Sequence, residues 1–122
     1  MKIRINGNSI RLRLSQREVT DFVQKGEVLA TCSFVNGMLT YRIVHGAYDT
    51  LTADISDSLI TVYVPSALAE KWDVDERVGF DVHDNSGLYI LVEKDFQCLK
   101  PRTHEDESGL FPNPQAAVSS YD

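Results

Sequence analysis

The sequence predicts an α+β domain of mainly antiparallel strands, barrel-like, built from two ββαββ units. Three observations carry this expectation. Apolar and charged residues alternate in short runs bounded by turn residues. Two segments with helix-start chemistry interrupt those runs. The order hairpin–helix–hairpin also recurs when the chain is shifted by 50 residues. Together they predict about eight strands and two short helices, with strand edges removed by closure. Residues 1–100 form a single domain on this reading, from units 1–50 and 51–100, and residues 101–122 form an irregular strap or tail.

Each element follows from local pattern. "KIRINGNSIRLRL" alternates about Asn6-Gly7, a hairpin turn signal. Ile3, Ile5, Ile10, Leu12 and Leu14 then share one face, and Lys2, Arg4, Arg11 and Arg13 share the other. "SQREVTDFVQKG" has Ser15 and Glu18 at capping-box spacing and Gly26 as a stop, so a short helix buries Val19, Phe22 and Val23. "EVLATCSFVNGMLTYRIV" makes a second hairpin about Asn36-Gly37, with Cys32 as a core residue of its strand.

In the second unit, "LTADISDSLITVYVP" is a hairpin about Ser56-Asp57-Ser58. "PSALAEKW" is a short helix with Pro65 preset for its start, and Trp72 falls opposite Phe22. "RVGFDVHDNSGLYILVEKD" is the last hairpin, with Val78 opposite Val28 and Gly87 opposite Gly37. Leu68, Phe80, Leu88 and Ile90 join Val19, Phe22 and Trp72 as core. From Phe96 onward the pattern stops, and three of the four prolines lie there.

Composition narrows the function. The net charge of −6 divides unevenly: residues 1–25 hold six cations against two acids, whereas the rest holds six against sixteen. An acidic whole argues against a general nucleic-acid binder but permits a local anion site near the N-terminus. No apolar run is long enough to span a membrane. The alternating start lacks a secretory signal, and Cys32 and Cys98 form no disulfide framework, which fits a bacterial-type cytoplasmic location.

"MKIRINGNSIRLRLSQREV", "VEKDFQCLKPR", "EDES" and "LFPNP" together resemble a family of small bacterial proteins of unknown function. The likeness covers nearly the whole chain and implies that the tail belongs to the design. "ITVYVPSALAEKWDVDERVGFDV" resembles the strand–Pro–helix–strand pattern of swapped-hairpin transcription factors, with Asp75-Glu76-Arg77 where a Gly-Asp turn is usual. Acids replace that pattern's basic residues, so the resemblance bears on packing and not on DNA. Strand count and paired cations are also similar to triphosphate-tunnel enzymes. The metal-binding Glu-x-Glu-x-Lys signature of those enzymes is replaced by Lys2-Ile3-Arg4.

The cationic hairpin face is the sharpest candidate site. Like charges directly opposite are destabilising, so Lys2, Arg4, Arg11 and Arg13 call for counter-charges from a ligand phosphate or carboxylate, or from the protein's own acids. Glu105, Asp106 and Glu107 are candidates for those acids, with Leu110 and Phe111 anchoring the strap in an apolar groove. Cys98 and His104 follow no zinc-ligand spacing, and neither a metal nor another cofactor is assigned. His45 and His83 sit in or beside turn-like segments as surface polar residues, and no phosphate loop, nucleophile elbow or HExxH motif occurs. The resulting expectation is a non-enzymatic binding module for a small anionic ligand or a partner protein. The alternatives are an enzyme acting on a phosphorylated or carboxylated small molecule, and a regulatory or structural module that dimerises through a strand edge.

Overall fold

A computed structural model describes residues 1–96 and 109–112. The elements run β1 (Lys2–Ile5), β2 (Ser9–Leu14), α1 (Gln16–Lys25), β3 (Glu27–Phe34), β4 (Gly37–Gly46), β5 (Thr52–Ser56), β6 (Leu59–Pro65), α2 (Ser66–Ala69), β7 (Gly79–His83) and β8 (Tyr89–Lys94). The order hairpin–helix–hairpin therefore occurs twice along the chain.

The two middle hairpins pair with each other, whereas the first hairpin pairs with the last. One sheet has the order β1-β2-β8-β7 and the other β3-β4-β6-β5. Each hairpin is antiparallel, but the seams β2/β8 and β4/β6 are parallel. The expected closed barrel is corrected accordingly: the described strands form two four-stranded sheets and no closed barrel. A hairpin satisfies only one edge of each of its strands. Here the second edge of β2 is met by a strand 80 residues further on, with Ser9 facing Tyr89.

The two sheets and both helical segments share one core. Ile10, Leu12, Leu14, Ile90 and Val92 face it from the first sheet, and Ile43, Ile60, Val62 and Val64 from the second. Phe22 and Trp72, both fully buried, meet edge-to-face with ring centroids 6.1 Å apart. Such a pair contributes about 0.5–1.5 kcal/mol beyond its burial. Leu68, Phe80 and Leu88 are half-buried against this core. Ile5, expected on the apolar face, is 61% exposed, at the turn end of β1 beside Asn6-Gly7.

Helix α1 forms as its pattern requires. Glu18 N–H donates to Ser15 Oγ, Ser15 N–H donates to a Glu18 carboxylate oxygen, and Gly26 closes the helix at φ 88°. The second helix is shorter than "PSALAEKW" suggests, since α2 stops at Ala69 and Lys71 turns to φ 63°. Arg77 explains the stop. Its guanidinium donates to the carbonyls of Leu68 and Glu70 at 2.7 and 2.8 Å, satisfying groups that a longer helix would have bonded internally. Trp72 Nε1 donates back to Arg77 O. The Asp75-Glu76-Arg77 stretch thus supplies a side-chain cap in place of a glycine turn.

Cys32, read as a core residue, is exposed. The parallel seam to β6 begins at Thr40, so the β3–β4 hairpin beyond Thr31 and Thr40 has no neighbouring strand beneath it. Phe34, Val35 and Met38 are exposed on the same overhang. His45, expected as a surface polar residue in or beside a turn, is a half-buried residue near the end of β4 with partners on both ring nitrogens.

Candidate functional site

The register of the first hairpin sets four cations on one surface. Lys2 lies opposite Arg13 and Arg4 opposite Arg11, while the alternate residues Ile10, Leu12 and Leu14 are buried. The cationic face therefore points outward from the core. Two like-charge pairs directly opposite each other are unfavourable, and the parallel strand β8 supplies the remedy.

Glu93 is registered with Arg13 and lies diagonally from Arg11. Its Oε1 accepts from Arg11 Nε at 2.6 Å and from Arg13 Nε at 3.0 Å, and Arg11 Nη2 approaches it to 2.5 Å. Glu93 is 7% exposed, so this cluster is largely removed from solvent screening. Lys2 Nζ meets the buried Asp95 carboxylate at 3.0 Å. The acids expected to answer the cations, Glu105, Asp106 and Glu107, lie outside the described residues. Among described residues the counter-charges come from Glu93 and Asp95. The alternation Tyr89, Leu91, Glu93, Asp95 carries that signal in the sequence, but only once β2 and β8 are known to be neighbours.

Two shallow grooves flank this cluster. One, of about 280 Å³, is lined by Arg4, Asn6, Ser9, Arg11, Tyr89 and Leu91. The other, of about 150 Å³, runs along Lys2, Arg4, Arg11 and Arg13. Tyr89 closes the far side of the first groove, donating its hydroxyl to Asp81 at 2.6 Å. That hydrogen bond, with burial and the Asp81 charge added, pushes the phenol pKa up, so Tyr89 stays a neutral donor. The Arg4 and Arg11 guanidinia and the Asn6 amide give this wall donors suited to carboxylate or phosphate oxygens, whereas the Tyr89 and Ser9 hydroxyl protons are already taken by Asp81 and by Asn6 O.

Leu110 and Phe111, expected as anchors of a strap, lie at the end of the same sheet. Leu110 is buried and Phe111 is half-buried against the core. Phe111 N–H donates to Asp95 O at 2.8 Å, Phe111 forms a parallel bridge with Phe96, and Gln16 N–H donates to Gly109 O. Lys94, 4% exposed, sits between aromatic faces: its Nζ is 5.1 Å from the Phe111 centroid and 5.9 Å from that of Trp72. It also donates to Asp75 O at 2.8 Å. Burial lowers the Lys94 pKa, and the nearby Arg77 charge adds to that, opposed by Asp75 and Asp73.

Cys98 and His104 lie outside the described residues. Among the described residues no group of three His, Cys, Asp or Glu side chains is placed to hold a metal ion. No helix there is long and apolar enough to cross a membrane.

An α+β domain of two four-stranded sheets, with a cationic outer face partly neutralised from within, is the class of protein these features define. The chain belongs to the family described as Family of unknown function (DUF7009), whose model matches residues 1–115. No curated protein and no solved structure matches it.

Proposed function

We propose that the outer sheet face of this cytoplasmic protein is a binding surface, not a catalytic one, which receives a small anionic ligand through Arg4 and Arg11, with Lys2 and Arg13 extending the cationic surface. The observation that carries this reading is the Arg4–Arg11 cross-strand pair on the wall of the 280 Å³ groove. Glu93 draws Arg11 toward one side, which orients the guanidinium and leaves the groove side lined by donors. An incoming phosphate or carboxylate at this pair can accept hydrogen bonds from guanidinia on two adjacent strands at once.

A thermal-shift titration with phosphate, pyrophosphate, tripolyphosphate and dicarboxylates tests the proposal. A ligand at about 100 times its dissociation constant stabilises the fold by roughly 2.7 kcal/mol. For a chain of this size that raises Tm by about 8–15 °C. The shift should disappear in Arg4→Ala, a surface substitution. No shift with any of these anions overturns the reading.

The same reading takes the two ββαββ units as a duplicated pair. The leading hairpins share one register at a spacing of 50, Lys2 facing Arg13 and Thr52 facing Tyr63. The trailing hairpins have diverged in length: β3 and β4 have 8 and 10 residues, and β7 and β8 have 5 and 6.

A further inference from the structure

A second constellation lies away from the cationic face, where β4, α1 and α2 meet. The His45 ring packs edge-on to Phe22 with centroids 5.2 Å apart, and its backbone N–H is tied to Gly26 O at 3.1 Å. Its Nε2 lies 3.2 Å from the carbonyl oxygen of Val23, and its Nδ1 lies 2.9 Å from Ser66 Oγ. A carbonyl oxygen can only accept, so the hydrogen of the neutral ring resides on Nε2. Nδ1 is then the basic nitrogen, and the Ser66 hydroxyl donates to it. The Val23 carbonyl holds the tautomer, as the third member of a nucleophile–base–orienter arrangement does.

Two further facts distinguish this pair from a packing contact. The Ser66 hydroxyl does not cap its own helix: Pro65 occupies the N-cap position, with no side-chain cap hydrogen bond. Ser66 is exposed, and the pair opens into a groove of about 510 Å³ whose walls include Val23, Ala67, Ala69, Glu70 and Lys71. The apolar walls are short side chains, which suits a short acyl chain. Glu70 and Lys71 bring opposite charges to the same wall.

We propose that Ser66 and His45 form a nucleophile–base pair that accepts an acyl group from an activated ester of a short carboxylic acid. Ser66 Oγ attacks the ester carbonyl carbon, and its proton passes to His45 Nδ1. The tetrahedral intermediate collapses with cleavage of the bond to the leaving oxygen, which takes the proton from Nδ1. Water then attacks the acyl carbon, giving a proton to Nδ1, and the bond to Ser66 Oγ breaks as that proton returns to the serine. Acid and alcohol are the products, and no oxidant or further reactant is needed.

The test uses the full chain and p-nitrophenyl acetate, following p-nitrophenolate release and mapping the acetyl group by peptide mass spectrometry. Acetylation should occur at Ser66, vanish in Ser66→Ala, and slow by about 100-fold or more in His45→Gln. Acetyl groups found only on lysines, the N-terminal amine or cysteine overturn the proposal, as does an unchanged rate at Ser66 in a folded His45→Gln. Should His45→Gln fail to fold, Ser66→Cys decides. The introduced thiol, paired with His45, should be alkylated by iodoacetamide at neutral pH about 10-fold faster than the exposed Cys32 of the same molecule. An equal or slower rate overturns the pairing.

Discussion

Arg11 and Glu93 meet at 2.6 Å across the parallel seam of the first sheet, although 82 positions separate them in sequence. The contact joins the first hairpin to the last and neutralises repulsion that the hairpin creates by itself. Glu93→Gln removes the charge while keeping the side chain's shape, leaving Arg11 and Arg13, two positions apart on the same face of β2, without the carboxylate they share. Hydrogen bonds to charged groups contribute about 1.5–3 kcal/mol, and a loss of that size is expected in urea unfolding. The same variant should bind anions more tightly, because an internal competitor for the guanidinium is gone. Loss of stability with unchanged or weaker anion binding would separate the structural role of the cluster from the proposed binding role.

Gly79 is required by the closeness of the backbones at the β7/β8 pairing. A Cβ at this position would lie 2.0 Å from Val92 O and 2.7 Å from Glu93 Cα, both backbone atoms that no rotamer change can move. A glycine within a strand marks such an approach. Gly79→Ala should therefore destabilise by about 2–3 kcal/mol through forced separation of the strands. It should also weaken the Glu93 cluster, since Gly79 pairs with Glu93. Equilibrium denaturation would show this, and a neutral effect would contradict the register.

Glu18 links the start of the chain to α1. Its carboxylate completes the capping box and forms an ion pair with the Met1 ammonium. Burial alone would raise its pKa, but hydrogen bonds from the ammonium and from the Ser15 N–H outweigh burial and lower it. A carboxyl depressed below its unfolded value of about 4.3 contributes stability above that pH and loses it as pH falls through the folded value. Glu18→Gln preserves the capping geometry and removes the charge. It should cost about 1–2 kcal/mol at neutral pH. The difference from the parent protein should shrink to near zero in acid, as measured by urea melts from pH 7 to about pH 3. A difference that stays constant with pH would assign the effect to packing.

The local layer of this fold was legible because local rules govern it. Ser15, Glu18 and Gly26 mark α1 by hydrogen-bonding chemistry that needs no tertiary context, and alternation placed Lys2, Arg4, Arg11 and Arg13 on one face. What alternation cannot reveal is which strand fills a hairpin's second edge. The seam between β2 and β8 is a long-range choice set by core complementarity, and with it went the identity of Glu93 and Asp95 as the acids facing the cations. Cys32 was misplaced for a related reason, since burial of a strand residue depends on how far its neighbour extends. The Ser66–His45 contact had no sequence signature at all, because 21 residues and a change of strand separate its partners.

Leu110 and Phe111 account for how the described part of the C-terminal segment is held. Leu110 is buried, whereas Phe111 is only half-buried but lies over Lys94. Truncating a buried leucine costs about 2–5 kcal/mol, and this site should fall at the low end because it lies at the margin of the core. Leu110→Ala should lower stability by about 2 kcal/mol in urea unfolding, and an unchanged midpoint would show that the segment does not hold in solution.

Lys94 presents the opposite expectation. Its ammonium is buried between Trp72 and Phe111 and donates to Asp75 O. Burial lowers its pKa, so the folded state holds this proton less tightly than the unfolded state. Stability then rises with pH as the group crosses its folded value, up to the unfolded value of about 10.4. Below that window the charged form carries a desolvation cost that the aromatic faces only partly offset. Lys94→Met keeps the stem's packing and removes the charge. Stability at neutral pH should be unchanged or higher by about 1 kcal/mol, and the alkaline gain should be absent. A loss exceeding about 2 kcal/mol would instead show that the cation–π contacts and the bond to Asp75 O outweigh the cost of burying the charge.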